Sequence, residues 1–278
     1  MPVDFTAIAG VALAEDAPRG DITTRLVVPD GVRCTAELVA KQPGVIAGTA
    51  AALAVFELAA NEDGAAVSVD VKVPDGARVA AGDQVAVIRG PAATLLRAER
   101  PAINLLAHLS GIATLTRAFV DAAAPARILC TRKTTPGLRE PEREAVTAGG
   151  GVLHRATLSD AVLVKDTHVF LAGGVAAAVR RAKTSGVPVE VEVESLRQLE
   201  EATAEGADTV LLDNPTPDLV RRAIEQVGDP SRVEVSGGVT LENVRSFVDA
   251  GARLISVGRL THSAPALDLS LEVIDVGD

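Results

Sequence analysis

Polar or glycine residues follow each of six short apolar runs between residues 127 and 257. The residues at these run ends are Thr131-Arg132-Lys133, Lys165-Asp166, Glu192 to Glu194, Asp213-Asn214, Ser236-Gly237-Gly238 and Gly258-Arg259. A charged residue after one strand can simply begin a solvated loop, but six chemically distinctive run ends favour a site. The carboxyl ends of successive parallel strands form the active face of a (β/α) barrel, so the pattern predicts an active site there.

Basic residues are concentrated between positions 127 and 165, where seven basic and four acidic residues stand in a chain of net charge −10. Arg132, Lys133 and Lys165 are at predicted strand ends, and His154-Arg155 follows a glycine turn. Guanidinium groups match the paired oxygens of carboxylates and phosphates, so these cations predict a ligand with several anionic groups. Nearby Arg139 and Arg143, among Glu140 to Glu144, are instead expected to form surface salt bridges.

Three glutamates, Glu190, Glu192 and Glu194, alternate with valines and therefore point to one face of a strand. On the inner face of a barrel they would repel one another unless cations lay among them; a solvated edge strand is the alternative. Asp213 ends the next strand, so a Glu and an Asp side by side would suit Mg²⁺ or a developing carbocation. We expect Glu192 to lie level with Asp213 and the two outer glutamates to matter less.

Two glycine-containing turns suggest a phosphate site. Ser236-Gly237-Gly238 precedes a predicted helix with Thr240 as its N-cap, and Ser256-Val257-Gly258 ends the last apolar run. Backbone N–H groups at such turns bind phosphate, often after the last strands of a barrel. The residues alone therefore indicate a barrel enzyme that acts on a small polycarboxylate and a phosphorylated sugar.

The helices and strands that must position these residues are predicted by two different sequence patterns, one in each part of the chain. The apolar runs recur about every 20–23 residues, with helical patterns between them at 175–184, 196–205, 217–227 and 241–250, which predicts βα units around a parallel sheet. The first 105 or so residues predict a small α+β domain, with helices near 5–13 and 48–61 and strands between 67 and 87. A helix from Ala92 to about Ala124 is expected to break or kink at Pro101 and to be interrupted at Ser110-Gly111.

Composition excludes several classes of protein. The 278 residues carry no Trp, no Tyr and five Phe, so the stacking platforms of many nucleic-acid binders are missing. No uninterrupted apolar run reaches about 18 residues, so we expect no membrane span. No signal peptide is visible, and two cysteines make no disulfide framework, which favours a cytoplasmic protein.

The order of these motifs resembles the quinolinate phosphoribosyltransferase family, the type II phosphoribosyltransferases of NAD synthesis. The resemblance covers nearly the whole chain. It rests on the following segments: Glu15-Asp16 with Gly20-Asp21, Glu99-Arg100-Pro101, Leu109-Ser110-Gly111, Thr131 to Arg139, Gly149 to Gly151 with His154-Arg155, Lys165-Asp166 with His168, Glu190 to Glu194, Leu212-Asp213-Asn214, Ser236 to Gly238 and Ile255 to Gly258 with His262-Ser263.

The resemblance implies an N-terminal α/β sandwich, residues 1–108 joined by the tail 266–278, and an incomplete α/β barrel over 109–265. It implies phosphoribosyl transfer to quinolinate with loss of CO₂, giving nicotinate mononucleotide, in a homodimer or larger homo-oligomer with shared sites. By resemblance, Arg132, His154, Arg155 and Lys165, with Arg100 of a neighbouring subunit, hold the pyridine dicarboxylate, and Thr131 is a further substrate-binding residue. Lys133, Glu192 and Asp213, with Ser236, Gly237, Gly238, Ser256 and Gly258, hold phosphoribosyl pyrophosphate; Lys133 and the two carboxylates are the catalytic residues, and the two carboxylates hold Mg²⁺.

Three positions depart from the family pattern: Leu153, Thr167 and Ser195 each stand where the family usually has Asn. They leave two related alternatives open, a paralogue acting on another aromatic acid and the related protein encoded with molybdate transporters. A third alternative, a biotinyl or lipoyl carrier, would explain the strands at 67–87, but the lysine-bearing tip of such carriers is absent.

Overall fold

The computed structural model describes residues 4–277. The chain forms two compact units. The first contains the described residues up to Leu115, residues 135–150 and those from Ser263 onward, and the second contains residues 116–134 and 151–262.

The first unit is built on an antiparallel sheet with strand order β12-β1-β5-β3. Its elements are α1 (Thr6–Asp16), α2 (Ile22–Val27), β1 (Arg33–Ala40), β2 (Gly44–Val45), α3 (Thr49–Glu62), β3 (Ser68–Val71), β4 (Arg78–Val79), β5 (Gln84–Pro91), most of α4 (Ala92–Ala123), α5 (Arg139–Ala148) and β12 (Leu269–Gly277). The C-terminal strand pairs with β1, with Leu269 opposite Ala40. Its apolar core includes Phe56, Ile88 and Leu106, each at most 1% exposed.

The long helix α4 is continuous, so the predicted interruption at Ser110-Gly111 is wrong, and Pro101 lies inside the helix without ending it. Proline removes one backbone donor, but two alanines of the same helix turn, Ala98 and Ala102, are fully buried, and this packing holds the helix together. Ser110 Oγ instead hydrogen-bonds the backbone of Ala47, and a Cβ at Gly111 would lie 2.1 Å from the Pro265 carbonyl oxygen. The small residues therefore mark close contacts rather than helix ends.

Helix α4 is also long and apolar enough to cross a bilayer, the only such helix among the described residues. Charged residues, among them Arg97, Glu99 and Arg100, divide its sequence into short apolar runs. Because 56% of its most apolar stretch is buried inside the protein, its apolar character fits a core helix.

The charged segment after Arg139 is helix α5, and one of its glutamates is not on the surface. Glu142 is completely buried; its carboxylate lies 2.9 Å from His108 Nε2 and accepts the backbone N–H of Thr135 at 3.2 Å. The expectation of surface salt bridges is therefore wrong for Glu142, whereas Arg143 does face Glu140 at 3.6 Å. A carboxylate without water needs such donors, which tie the start of the helix to α4.

The second unit is built on a six-stranded parallel sheet with order β6-β11-β10-β9-β8-β7, which confirms the predicted mixed α/β architecture. Its elements are β6 (Arg127–Leu129), β7 (Val162–Val164), α6 (Asp166–Ala172), α7 (Val175–Lys183), β8 (Val189–Val193), α8 (Leu196–Ala204), β9 (Thr209–Asp213), α9 (Pro217–Val227), a 3₁₀ turn (Pro230–Arg232), β10 (Val233–Ser236), α10 (Val244–Asp249), β11 (Leu254–Ser256) and α11 (Arg259–His262). All six strands were predicted from the apolar runs. β8 lies between β7 and β9, so its glutamates are not on an edge strand.

Candidate active site

A cavity of about 620 Å³ opens at the carboxyl ends of the parallel strands. Twelve of the fourteen predicted site residues line it: Thr131, Arg132, Lys133, His154, Arg155, Lys165, Glu192, Asp213, Ser236, Gly237, Gly238 and Ser256. Cys130, Leu163, Leu211, Asn214 and Glu234 line it as well. The residues at the ends of the apolar runs therefore located the cavity correctly. They did not include all of the residues that line it.

Two predicted residues are not part of this lining. Arg100 lies on α4 in the first unit, where its side chain is 69% exposed and faces Glu99 at 3.4 Å. Gly258 lies behind Lys133: a Cβ at this glycine would come within 3.2 Å of Lys133 Cδ and 3.3 Å of His262 Nε2. Gly258 thus supports the lysine side chain by leaving room for it.

The cationic wall of the cavity contains a donor that has no partner. The Nε atom of Arg132 is buried and makes no hydrogen bond within the described residues. Arg155 Nη1 donates to the Ala161 carbonyl at 3.0 Å, which fixes its guanidinium. Burial, and then the charge of Arg132, lower the pKa of Arg155. Two neighbouring guanidinium groups and an unsatisfied N–H are the features of a pocket for an anion.

Each inward glutamate of β8 faces a cation. Glu192 forms an ion pair with Lys165, and Glu190 Oε2 lies 3.0 Å from His154 Nε2. Glu194 follows the strand and is exposed. The cations that face Glu190 and Glu192 therefore come from the loop and the strand end on the β7 side.

The predicted alignment of Glu192 with Asp213 is wrong. In the parallel register Glu192 is opposite Leu211, and Asp213 lies two residues farther along β9, opposite Ser236 of β10. The alternation of apolar and polar residues along one strand determines which face of the sheet a residue occupies. It does not determine the register between that strand and the neighbouring strand. Both carboxylates still line the cavity, at different depths.

His154 is held by the partly buried carboxylate of Glu190 and the buried carboxylate of Glu234. Its Nε2 lies 3.0 Å from Glu190 and 3.6 Å from Glu234, which is only 2% exposed and accepts a hydrogen bond from Ser256 Oγ. The hydrogen bonds to Glu190 and then to Glu234 raise the pKa of His154 to about 10. On the other side of the ring, Nδ1 lies 2.9 Å from the backbone nitrogen of Arg155. Burial raises the pKa of Glu190.

Glu234 is the main residue that sequence reasoning missed. The signal was present: Glu234 and Ser236 occupy alternate positions of one strand, so a glutamate in an apolar run shares the inward face with a predicted site residue. The ligand-type atoms of His154, Glu190 and Glu234 lie within 4.8 Å of one another. The predicted metal pair, Glu192 and Asp213, is not part of that group.

The glycine loop after β10 lies against Asn214. Gly237 has φ +84°, and a Cβ there would lie 2.4 Å from Asn214 Oδ1. Asn214 itself has a positive φ of 49°, and its amide donates to Asp213 Oδ2 at 2.8 Å. This residue, absent from the predicted set, therefore connects the carboxylate at the end of β9 to the glycine loop.

The predicted N-cap at Thr240 is wrong. Asn243 Oδ1 accepts the N–H of Thr240 at 2.8 Å in a turn, and α10 begins only at Val244. Backbone donors for a phosphate would thus come from the glycine loop itself, not from the N-terminus of a long helix.

A second cavity, of about 220 Å³, lies toward the amino ends of the strands. His154, Arg155 and Glu234 line both cavities, whereas Glu190 and Leu153 line only the smaller one. The other departures from the family pattern are also outside the main cavity. Thr167 is exposed on α6, and Ser195 caps α8 by accepting the N–H of Gln198 at 3.3 Å. All three departures therefore leave the lining of the large cavity unchanged.

The parallel sheet, the cationic pocket and the glycine loop define a barrel enzyme for anionic substrates. Residues 21–110 match the N-terminal domain of quinolinate phosphoribosyl transferase, and residues 112–272 match the C-terminal domain of that family. The chain belongs to the quinolinate phosphoribosyltransferase family.

Named relatives agree with this assignment. The chain is 43% identical over 270 residues to the nicotinate-nucleotide pyrophosphorylase [carboxylating] of Mycobacterium leprae, covering 94% of each chain. It is 38% identical to the chloroplastic enzyme of that name from Arabidopsis thaliana, over 97% of this chain and 83% of the relative. A crystal structure of NadC from Streptococcus pyogenes superposes with a TM-score of 0.89 at 36% identity, covering 99% of both chains.

Proposed function

We propose that this chain transfers the phosphoribosyl group of phosphoribosyl pyrophosphate to quinolinate, a step of NAD biosynthesis. The observation that carries the proposal is the large cavity, which combines the unsatisfied Arg132 Nε, a second guanidinium, two lysines, three carboxylates and a glycine loop. Family membership supports the same reaction. The quinolinate nitrogen attacks the anomeric carbon of the ribose, and pyrophosphate leaves with the electron pair of the broken C–O bond. The 2-carboxylate then leaves as CO₂, and a proton takes its place on the ring carbon, which gives nicotinate mononucleotide.

The acceptor carboxylates would lie against Arg132, Arg155 and Lys165. Two guanidinium groups can bind carboxylates bidentately, and they bring positive charge beside a ring that must attack as a neutral nitrogen base. The 5-phosphate of the donor would use the N–H groups around Gly237 and Gly238, with Lys133 over the pyrophosphate. Loss of pyrophosphate leaves positive charge on the ribose, which Glu192 and Asp213 would stabilise.

Mg²⁺ belongs to this proposal. The chemistry of the donors fits, since Mg²⁺ is usually held by one or two carboxylates together with substrate phosphates and water, and Glu192 and Asp213 line the same cavity. The ion, when bound, would neutralise charge on the departing pyrophosphate. The carboxylates also orient the sugar hydroxyls.

We further propose a cytoplasmic homodimer in which Arg100 serves the partner's site. The exposed guanidinium of Arg100 supports this, since among residues 4–277 it forms an ion pair with the adjacent Glu99 alone, at 3.4 Å. An inactive Arg100→Ala chain mixed with an inactive Lys165→Ala chain should regain activity, because each mixed dimer contains one site built from intact residues. Failure to complement, when subunit exchange is demonstrated, would assign Arg100 to its own subunit.

The reaction itself is tested by incubating the protein with phosphoribosyl pyrophosphate, Mg²⁺ and quinolinate, and measuring nicotinate mononucleotide, pyrophosphate and CO₂. We expect the three products in equal amounts and no turnover with EDTA. Parallel reactions with nicotinate and other aromatic acids test the related alternatives. A better substrate among them, or no product from quinolinate, would overturn the proposed acceptor.

A further inference from the structure

The backbone carbonyl of Lys133 is held by a threonine that does not line the large cavity. Thr261 Oγ1 donates a hydrogen bond to this carbonyl at 2.8 Å, across 128 positions of the chain. The same hydroxyl lies 3.3 Å from the carbonyl of Gly258, in its own turn of the chain. A hydroxyl has one proton to donate, so the shorter contact, to Lys133, is the main hydrogen bond. The Thr261 side chain therefore supports the loop after β6.

The segment that carries Lys133 has no regular structure of its own. Residues 130–134 contain no helix or strand, and the pairing of β6 with β11 ends at Leu129 and Ser256. Within the segment, the N–H of Lys133 donates to Thr131 Oγ1 at 3.2 Å. The hydrogen bond from Thr261 thus ties this loop to the residues that follow β11, beyond the point where the two strands pair.

The Lys133 side chain is placed by the same residues that follow β11. A Cβ at Gly258 would lie 3.2 Å from Lys133 Cδ, so the aliphatic part of the lysine passes close to this glycine. Thr261 is only 3% exposed, whereas Lys133 lines the large cavity. The backbone and the aliphatic part of Lys133 are therefore both held from residues 258–261, and the threonine hydroxyl itself is not available to a ligand.

We infer that Thr261 is a positioning residue of the donor site, because it holds the backbone from which Lys133 reaches the pyrophosphate. This inference rests on the proposed function, which places Lys133 over that pyrophosphate. Replacement of a threonine that only stabilises the fold would not weaken the binding of one substrate selectively. Replacement of a positioning threonine weakens the binding of the donor, and it does so only while the lysine side chain is present.

Thr261→Val tests the inference, because valine keeps the shape of threonine and removes the hydroxyl. We expect the dissociation constant and the KM for phosphoribosyl pyrophosphate to rise by about 3- to 10-fold, the range for loss of one neutral hydrogen bond. The dissociation constant for quinolinate should stay as in the wild type. Calorimetric titration with each substrate and steady-state kinetics measure these quantities. Thr261→Ser, which keeps the hydroxyl, should restore the affinity for the donor.

Thr116→Val is the matched control. Thr116 is buried like Thr261, but its hydroxyl has no hydrogen-bond partner among residues 4–277. The same substitution there removes no hydrogen bond, so both substrates should bind as they do to the wild type. If Thr116→Val lost as much donor affinity as Thr261→Val, the loss of the Lys133 contact would not be the cause, and the inference would be overturned.

A sharper test combines Thr261→Val with Lys133→Ala, because positioning acts only through the lysine side chain. In the Lys133→Ala background, Thr261→Val should cause no further loss of donor affinity, whereas independent effects would multiply. Equal losses with and without the lysine, or unchanged donor affinity in a folded Thr261→Val protein, overturn the inference. A wild-type protein that makes no nicotinate mononucleotide overturns the proposed function instead, so the two failures are distinguishable.

Gly258→Ala takes the place of Thr261→Val if that variant does not fold. Its Cβ meets the aliphatic part of Lys133, so it should displace the lysine without touching the threonine hydroxyl. We expect donor binding to weaken in this variant, and the loss to shrink when Lys133→Ala removes the side chain that the Cβ displaces. A loss of the same size in both backgrounds would overturn the inference.

Discussion

The two ends of the parallel barrel differ in chemistry although the same strands build both. The cavity at the carboxyl ends carries cations, carboxylates and a glycine loop, whereas the cavity at the amino ends is lined mainly by apolar side chains such as Leu129, Val162 and Leu254. His154, Arg155 and Glu234 lie between the two. In barrel enzymes the carboxyl-end loops carry chemistry and the opposite face carries stability. We therefore predict that substitutions impair binding and catalysis most at the carboxyl ends of the strands and least at their amino ends.

The largest effect is expected from Arg132→Ala at the carboxyl end. Removing one partner of a buried charge pair usually costs about 2–5 kcal/mol of binding free energy, and among residues 4–277 the Nε of this guanidinium has no hydrogen-bond partner to lose. Calorimetry should show quinolinate binding weakened by that amount. Arg180→Ala, which removes an exposed ion pair with Glu205, is the control. Equal quinolinate affinity in wild type and Arg132→Ala would remove this guanidinium from the acceptor pocket.

The next effect concerns the carboxylates. Glu192→Gln and Asp213→Asn keep shape and delete charge, so each should lower kcat by about 10²–10³-fold, the usual loss for a preorganised group that stabilises transition-state charge. Because this stabilisation is greater in the transition state than in the ground state, KM should change less. Steady-state kinetics provides the measurement, with Glu200→Gln on the exposed face of α8 as the control. Normal turnover of Glu192→Gln would contradict the assignment of this strand to the reaction.

A smaller and more selective effect is expected at the glycine loop. Gly237→Ala places a Cβ against Asn214 at a positive φ, and such strain costs on the order of 1–3 kcal/mol. We expect the KM for phosphoribosyl pyrophosphate to rise by about 5- to 100-fold while quinolinate affinity is kept. Gly206→Ala is the matched control, because Gly206 has φ +83° and open space where the Cβ would be. If both variants lost donor affinity alike, strain in general and not the loop would be responsible.

Sequence patterns were sufficient to predict the position of a residue where that position depends only on the strand that contains it. The valine–glutamate alternation placed Glu190 and Glu192 on the inner face, and the run ends located the cavity. Patterns were insufficient where two distant segments meet. The offset of Asp213 relative to Glu192, the contact of His154 with Glu234, and the burial of Glu142 against His108 depend on packing between elements far apart in the chain. Likewise, a proline predicts a helix break from local geometry, but the packing of Ala98 and Ala102 decided the outcome.

The smallest effect is expected at Leu153, on the amino-end side. Its side chain is 41% exposed and lines only the smaller cavity, although it stands where the family usually has Asn. Leu153→Asn should therefore change the free energy of unfolding by no more than about 0.5 kcal/mol, as for most surface substitutions. It should also leave kcat/KM for quinolinate within about threefold, because nothing in the large cavity moves. Thermal unfolding and steady-state kinetics measure both quantities, with Leu158→Asn, an exposed leucine in the same loop, as the control. A gain of tenfold or more in Leu153→Asn alone would mean that the two ends of the barrel communicate through the loop that carries His154 and Arg155.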